Sequence, residues 1–188
     1  VDIRDLDRRA VESTGAIVAR LTDAQLDAPT PCERWTARDV VAHMNDNKRR
    51  LLTRLTGGAP EPTGDVRAEF AHLGATLARA LADESVLDLP IELLGKPYTV
   101  GVALGVHFSD TLVHGWDLGS AIGLDVRLPE DLVAAVSKVM SQFPNDGTIW
   151  GPDGLFAEQL SVPEGATPQE RMLAFTGRPA QWTPASTS

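Results

Sequence analysis

Residues 109–120 read SDTLVHGWDLGS. In a helix each residue advances about 100° and 1.5 Å. Asp110 and His114 then lie one turn apart on one face, where a carboxylate and an imidazole can reach one ion. Asp117 stands three residues beyond His114 and competes with Asp110 for that role; its other use is to hydrogen-bond backbone or to support a ligand from behind. His107 shares the face but sits about 10 Å from His114 along the axis, too far to share an ion from one straight helix. A third ligand is available in ARDVVAHMNDNKRRLL. There His43 and Asn47 flank an apolar stripe of Val40, Met44, Leu51 and Leu55. Two imidazoles and a carboxylate leave coordination positions open on Zn²⁺, Ni²⁺ or Fe²⁺, as catalysis needs. The competing reading of the same residues is ordinary polar packing on helix surfaces. His72, in FAHLG, is expected at a surface or boundary.

These side chains need helices to carry them, and the sequence supplies four long amphipathic segments. The first, residues 4–22, has Leu6, Ala10, Ile17, Val18 and Leu21 near helical spacing. The second, 36–56, opens on Thr36 with Asp39 three residues on, a capping box, and stops at TGGAPEPTG. The third, 65–82, carries the stripe Phe70, Leu73, Leu77 and Leu81. The fourth, 101–122, holds the Asp110 and His114 pair. Between the last two, DLPIELLGKPYTV has no helical pattern and reads as a short hairpin around Gly95 and Lys96, with an extended segment near 98–100. A shorter helix is expected from 129, followed by a long loop from Pro144. Thr167, Pro168 and Glu170 then cap a last helix that Gly177 ends. The pattern predicts an all-α four-helix bundle over 1–125 with a C-terminal extension over 126–188, together one domain.

Composition narrows the function. The formal charge of −9 argues against a nucleic-acid backbone or an anionic membrane as partner. Cys32 is the only cysteine, so neither an internal disulfide nor a thiolate-rich metal cage is available. It precedes the second helix, where the helix dipole favours a thiolate, but a small residue packed beside Trp35 is the expected reading. Trp35 and Trp116 are expected in the core. The opening VDIRDLDRRA lacks the apolar run of a signal peptide, and no stretch is long and apolar enough to span a bilayer. A cytoplasmic protein, monomeric or homodimeric, is expected.

PTPCERWTARDVVAHM and DTLVHGWDLGSAIG together resemble the DinB-like superfamily, and more closely the actinobacterial proteins related to the N-terminal domain of mycothiol-dependent maleylpyruvate isomerase. The tail VPEGATPQERMLAFTGRPAQW is similar to the ending of small proteins in that group. The resemblance implies a four-helix bundle holding a divalent metal, usually zinc, through a histidine on the second helix and an acidic-xxx-histidine pair on the fourth. These positions fall on His43, Asp110 and His114. The isomerase has glutamate where this sequence has Asp110. It also has a C-terminal domain contributing a catalytic arginine, for which these 188 residues are expected to leave no room, so maleylpyruvate isomerisation itself is not expected.

Two functional classes follow. One is a metal-dependent isomerase or S-transferase in which a small thiol, mycothiol, attacks a small electrophilic substrate, with Asn47 orienting a bound group and no general base identifiable. The other is a non-catalytic metal-binding bundle acting as a sensor or small-molecule carrier. A metal-free interaction bundle is a third, weaker reading.

Overall fold

The computed structural model describes residues 1–93, 95–145, 147, 149–151 and 156–183. Its chain order is α1 (Ile3–Val18), α2 (Ala37–Thr56), α3 (Val66–Ala80), β1 (Pro90–Leu93), β2 (Lys96–Thr99), α4 (Val100–Ala121), α5 (Glu130–Met140) and α6 (Pro168–Phe175). Short 3₁₀ turns at Gln25–Asp27 and Glu84–Asp88 link α1 to α2 and α3 to β1.

Most helix ends obey local chemistry. Asp2, Thr36, Asp65, Thr99 and Thr167 each cap a helix by accepting a backbone N–H with their side chain. Thr36 and Thr167 complete reciprocal capping boxes with Asp39 and Glu170. α2 stops at Gly57, whose φ of 81° lies in the left-handed region. α1 ends at Val18 rather than near residue 22, because Leu21 turns inward and is buried while Thr22 starts the 3₁₀ turn by bonding Gln25. The expected hairpin forms, pairing Ile91 with Tyr98 and Leu93 with Lys96. It leads directly into α4 at Val100.

α4 is the central element. From Ala103 to Gly119 every residue is buried, so this helix, expected to be amphipathic, is covered all round and its polar residues His107, Asp110, His114 and Asp117 lie inside the protein. It packs chiefly on α1, and also on α2 and α5. α2 and α1 in turn pack on α3. The close α1–α4 approach rests on Gly115, where a Cβ would run into Thr14 Oγ1, while a Cβ at Gly119 would run into Val126 Cγ2 in the segment after α4. α5 and α6 pack together and cover the other side of α4, with Leu132, Val136, Met140, Met172 and Leu173 buried against Phe108, Leu112 and Trp116. Part of the long loop after Pro144, at 146, 148 and 152–155, lies outside the described residues, as do the last five residues.

Candidate metal centre

α2 and α4 carry the central groups towards each other. The Thr36–Asp39 box fixes the first turn of α2, and His43 follows one turn and a half later, with Asn47 four residues on. On α4, Asp110 and His114 occupy consecutive turns. Asp110 stands between the two imidazoles: its Oδ2 is 3.2 Å from His43 Nε2 and its Oδ1 is 3.3 Å from His114 Nε2. One donor atom from each of the three residues lies within 4.8 Å of the others. Four donors around zinc at 2.0–2.1 Å are separated by roughly 3.3 Å along each tetrahedral edge. Each histidine lies near that spacing from a different oxygen of Asp110, and two imidazole nitrogens with a carboxylate are a donor set that suits zinc.

The remaining contacts fix orientation. The Asn47 side-chain amide nitrogen lies 3.0 Å from His43 Nε2 and donates to Asp110 Oδ2 at 3.1 Å. His114 Nδ1 is 2.9 Å from Asp117 Oδ2. Asp117 thus sits behind His114, on the opposite ring nitrogen from Asp110. The side chains of Asp110 and His114 are 11% and 5% exposed, whereas that of His43 is 30% exposed, so the group opens to solvent on the His43 side.

Trp35 departs from expectation. It is half-buried and lies over the two imidazoles, its ring stacked on His114 at 5.9 Å and tilted over His43 at 4.8 Å between centroids. A hairpin-like closure puts it there: the Thr30 hydroxyl and backbone N–H both donate to the Trp35 carbonyl, and Arg34 adopts a left-handed φ of 69°. The indole is therefore a wall of the site as well as packing for α2. Trp116 is in the core as expected.

Burial and charge oppose one another here. Burial pushes the His114 pKa down, but Asp110 and Asp117 overcome it and hold the imidazole up at about 9. Burial likewise pushes the Asp110 carboxyl up, and the imidazoles of His114 and His43 outweigh it, holding Asp110 well below the usual carboxylate range. Such an ion pair is the protonated counterpart of a metal site, and a cation binding there must displace the proton from His114.

His107 is separate from this group. Its Nδ1 is 2.6 Å from Asp7 Oδ1 on α1, and both residues are buried. His72 is exposed. Cys32 is half-buried, and its burial pushes the thiol up to about 11 although Arg178 pulls the other way. Its sulfur also comes within 4.8 Å of donor atoms of His114 and Asp117. Asp117 is already committed there, because Arg178 takes both of its oxygens. Arg178 and Lys48 are the functional-looking residues that sequence reasoning missed. Lys48 had a signal: it continues the buried row Val40, Met44 by four residues, so a cation was to be expected at a core position. Arg178 had none, since its partner lies 61 residues away.

The model of the mycothiol maleylpyruvate isomerase N-terminal domain family matches residues 8–119, a span that contains α2, α3, nearly all of α4 and all three clustered donors. The chain belongs to that family. It is DinB-like, and its members are typically metal-binding and associated with mycothiol. Two uncharacterized Mycobacterium tuberculosis proteins, one from strain CDC 1551 / Oshkosh and one from strain H37Rv, are each 31% identical over 189 aligned positions, covering 91% of this chain and 94% of the relative. No solved structure matches the chain significantly. Among the described residues, no helix is long and apolar enough to cross a membrane.

Proposed function

We propose that the protein is a DinB-like four-helix bundle, one domain with its C-terminal extension, that binds a divalent metal through His43, Asp110 and His114 and uses mycothiol to act on a small electrophile. The observation that supports this most strongly is the convergence of those three residues, one donor atom of each within 4.8 Å of the others, with one side open to solvent. Zinc is the ion the donor set suits best, with Ni²⁺ and Fe²⁺ compatible. The metal would supply Lewis acidity, stabilising a thiolate at neutral pH and polarising an acceptor.

The chain's own residues do the rest. His43 and His114 present Nε2, and Asp110 contributes negative charge between them. Asn47 directs its amide nitrogen into the same space, where it orients a bound group by hydrogen bonding. Trp35 closes one side with an apolar face, which limits water and favours the non-polar part of a substrate. The product is an isomerised substrate or an S-conjugate, according to whether the thiol adduct is released or retained.

Calorimetric titration of mycothiol tests this reading. Zinc-loaded protein should bind the thiol and metal-free protein should not. Cys32→Ser should bind it as well as the parent, because the reacting sulfur belongs to mycothiol and the Cys32 thiol is held protonated by burial. Equal binding with and without zinc would refute the metal–thiol link.

A further inference from the structure

Behind His114 lies a chain of contacts that starts in the C-terminal segment. α6 ends in a Schellman motif: the Arg178 backbone N–H donates to Leu173 O at 2.8 Å and the Gly177 N–H to Ala174 O at 3.1 Å. Gly177 has a φ of 79°, and a Cβ there would lie 2.9 Å from Glu158 O. Only glycine fits that turn, and the turn sends the next side chain inward. Arg178 is 4% exposed and Asp117 is fully buried. The guanidinium grips the carboxylate with two hydrogen bonds, Nη2 to Oδ2 at 2.9 Å and Nε to Oδ1 at 3.3 Å, while Nη1 donates to Thr176 O at 2.7 Å. Asp117 Oδ2 in turn meets His114 Nδ1.

We propose that Arg178 is a positioning residue for the metal centre: its two-point grip holds the Asp117 carboxylate against His114 Nδ1 and so sets the ring rotation that turns Nε2 to the ion. The inference rests on the metal reading above. Its physics is local. Arg178 holds both oxygens of Asp117, which fixes the plane of the carboxylate and hence the rotation of the imidazole it bonds. The C-terminal segment is thereby part of the metal site without touching the ion.

The test is a double-mutant cycle on zinc affinity, measured by competition with a chromophoric chelator. The variants are Arg178→Met, Asp117→Asn and the pair together, with His114→Ala as the control for the metal reading. The parent should bind one zinc per chain and His114→Ala should lose it. Arg178→Met and Asp117→Asn should each weaken binding about 10–100-fold. The pair should be no weaker than Asp117→Asn, because Arg178 acts through that carboxylate. Arg178→Lys, which keeps the charge and loses the fork, should fall between. In NMR of the zinc-loaded protein the His114 Nδ1–H should be protected from solvent exchange in the parent and lose that protection in Arg178→Met. Should Arg178→Met fail to fold, the paired variant, which leaves no buried charge, and Arg178→Lys carry the comparison. Parent-like affinity in Arg178→Met, or losses that add in the pair, would overturn the role of Arg178 and leave the metal site standing. A parent that binds no zinc would overturn both.

Discussion

Asp110 holds the site together at the scale of single residues, offering one carboxylate oxygen to each of two imidazoles from different helices. Three alanine variants separate it from its neighbours. Asp110→Ala should lose high-affinity zinc binding, while Asp110→Glu, which restores the longer carboxylate of the resembled isomerase, should retain it. Asp117→Ala should weaken binding without abolishing it, because Asp117 supports His114 from the far nitrogen. His107→Ala should leave the zinc affinity near that of the parent, since its ring is engaged with Asp7 on α1. Zinc titrations of the purified variants check all four, and loss of metal in Asp117→Ala but not in Asp110→Ala would reverse the assignment. The clustering of His43, Asp110 and His114 was legible in the sequence because two share a helix at one-turn spacing and the third flanks a clear apolar stripe. Arg178 and Asp7 were not, because the contacts that give them meaning join positions 61 and 100 residues apart. Helical phase carries no information at that range.

The elements matter because α2 and α4 must present His43, Asp110 and His114 at fixed height and rotation. Capping residues and glycine stops made most helices readable, Thr36 and Thr167 above all, since their partners are three residues away. The 3₁₀ turn at Gln25–Asp27 and the early end of α1 were not readable, because Leu21 leaves the helix to reach a core built from distant segments. The placement of Trp35 was missed for the same reason: it depends on a loop closure, not on periodicity. α4 is held against α1 by the absence of a side chain at Gly115, one residue from His114. Thr14 cannot simply swing away, because its hydroxyl donates to Thr111 O at 2.9 Å. Gly115→Ala should therefore destabilise the fold by about 1–3 kcal/mol through overpacking, despite the better helix propensity of alanine. Urea unfolding measures it, and an unchanged or raised midpoint would mean the helices separate more easily than this contact suggests.

The whole molecule is acidic, yet it buries a lysine. Lys48 is fully buried, its ammonium 3.6 Å from the centre of the Phe70 ring and 3.4 Å from Met44 O. The charges facing it are Asp7 from α1 and Asp110 from α4, neither of them in ion-pair contact among the described residues. Burial lowers its pKa from 10.5 to about 7, against the pull of both carboxylates. The unfolded chain therefore holds this proton up to about pH 10.5 and the folded chain only to about 7, so between them stability rises with pH. The cost of burying Lys48 is full below pH 7 and fades towards 10.5. Lys48→Met should stabilise the metal-free protein at pH 6 by roughly 2–5 kcal/mol and remove that rise, as unfolding curves across pH will show. A variant less stable than the parent at pH 6 would mean that the ammonium is needed to offset Asp7 and Asp110. The claim on which the rest depends is that the three donors bind one ion. Anomalous diffraction at the zinc edge from crystals of the zinc-loaded protein tests it most directly. The account predicts one strong peak per chain, roughly 2.0–2.2 Å from His43 Nε2, an Asp110 carboxylate oxygen and His114 Nε2. A peak elsewhere, or none at that point in crystals that contain zinc, would contradict it.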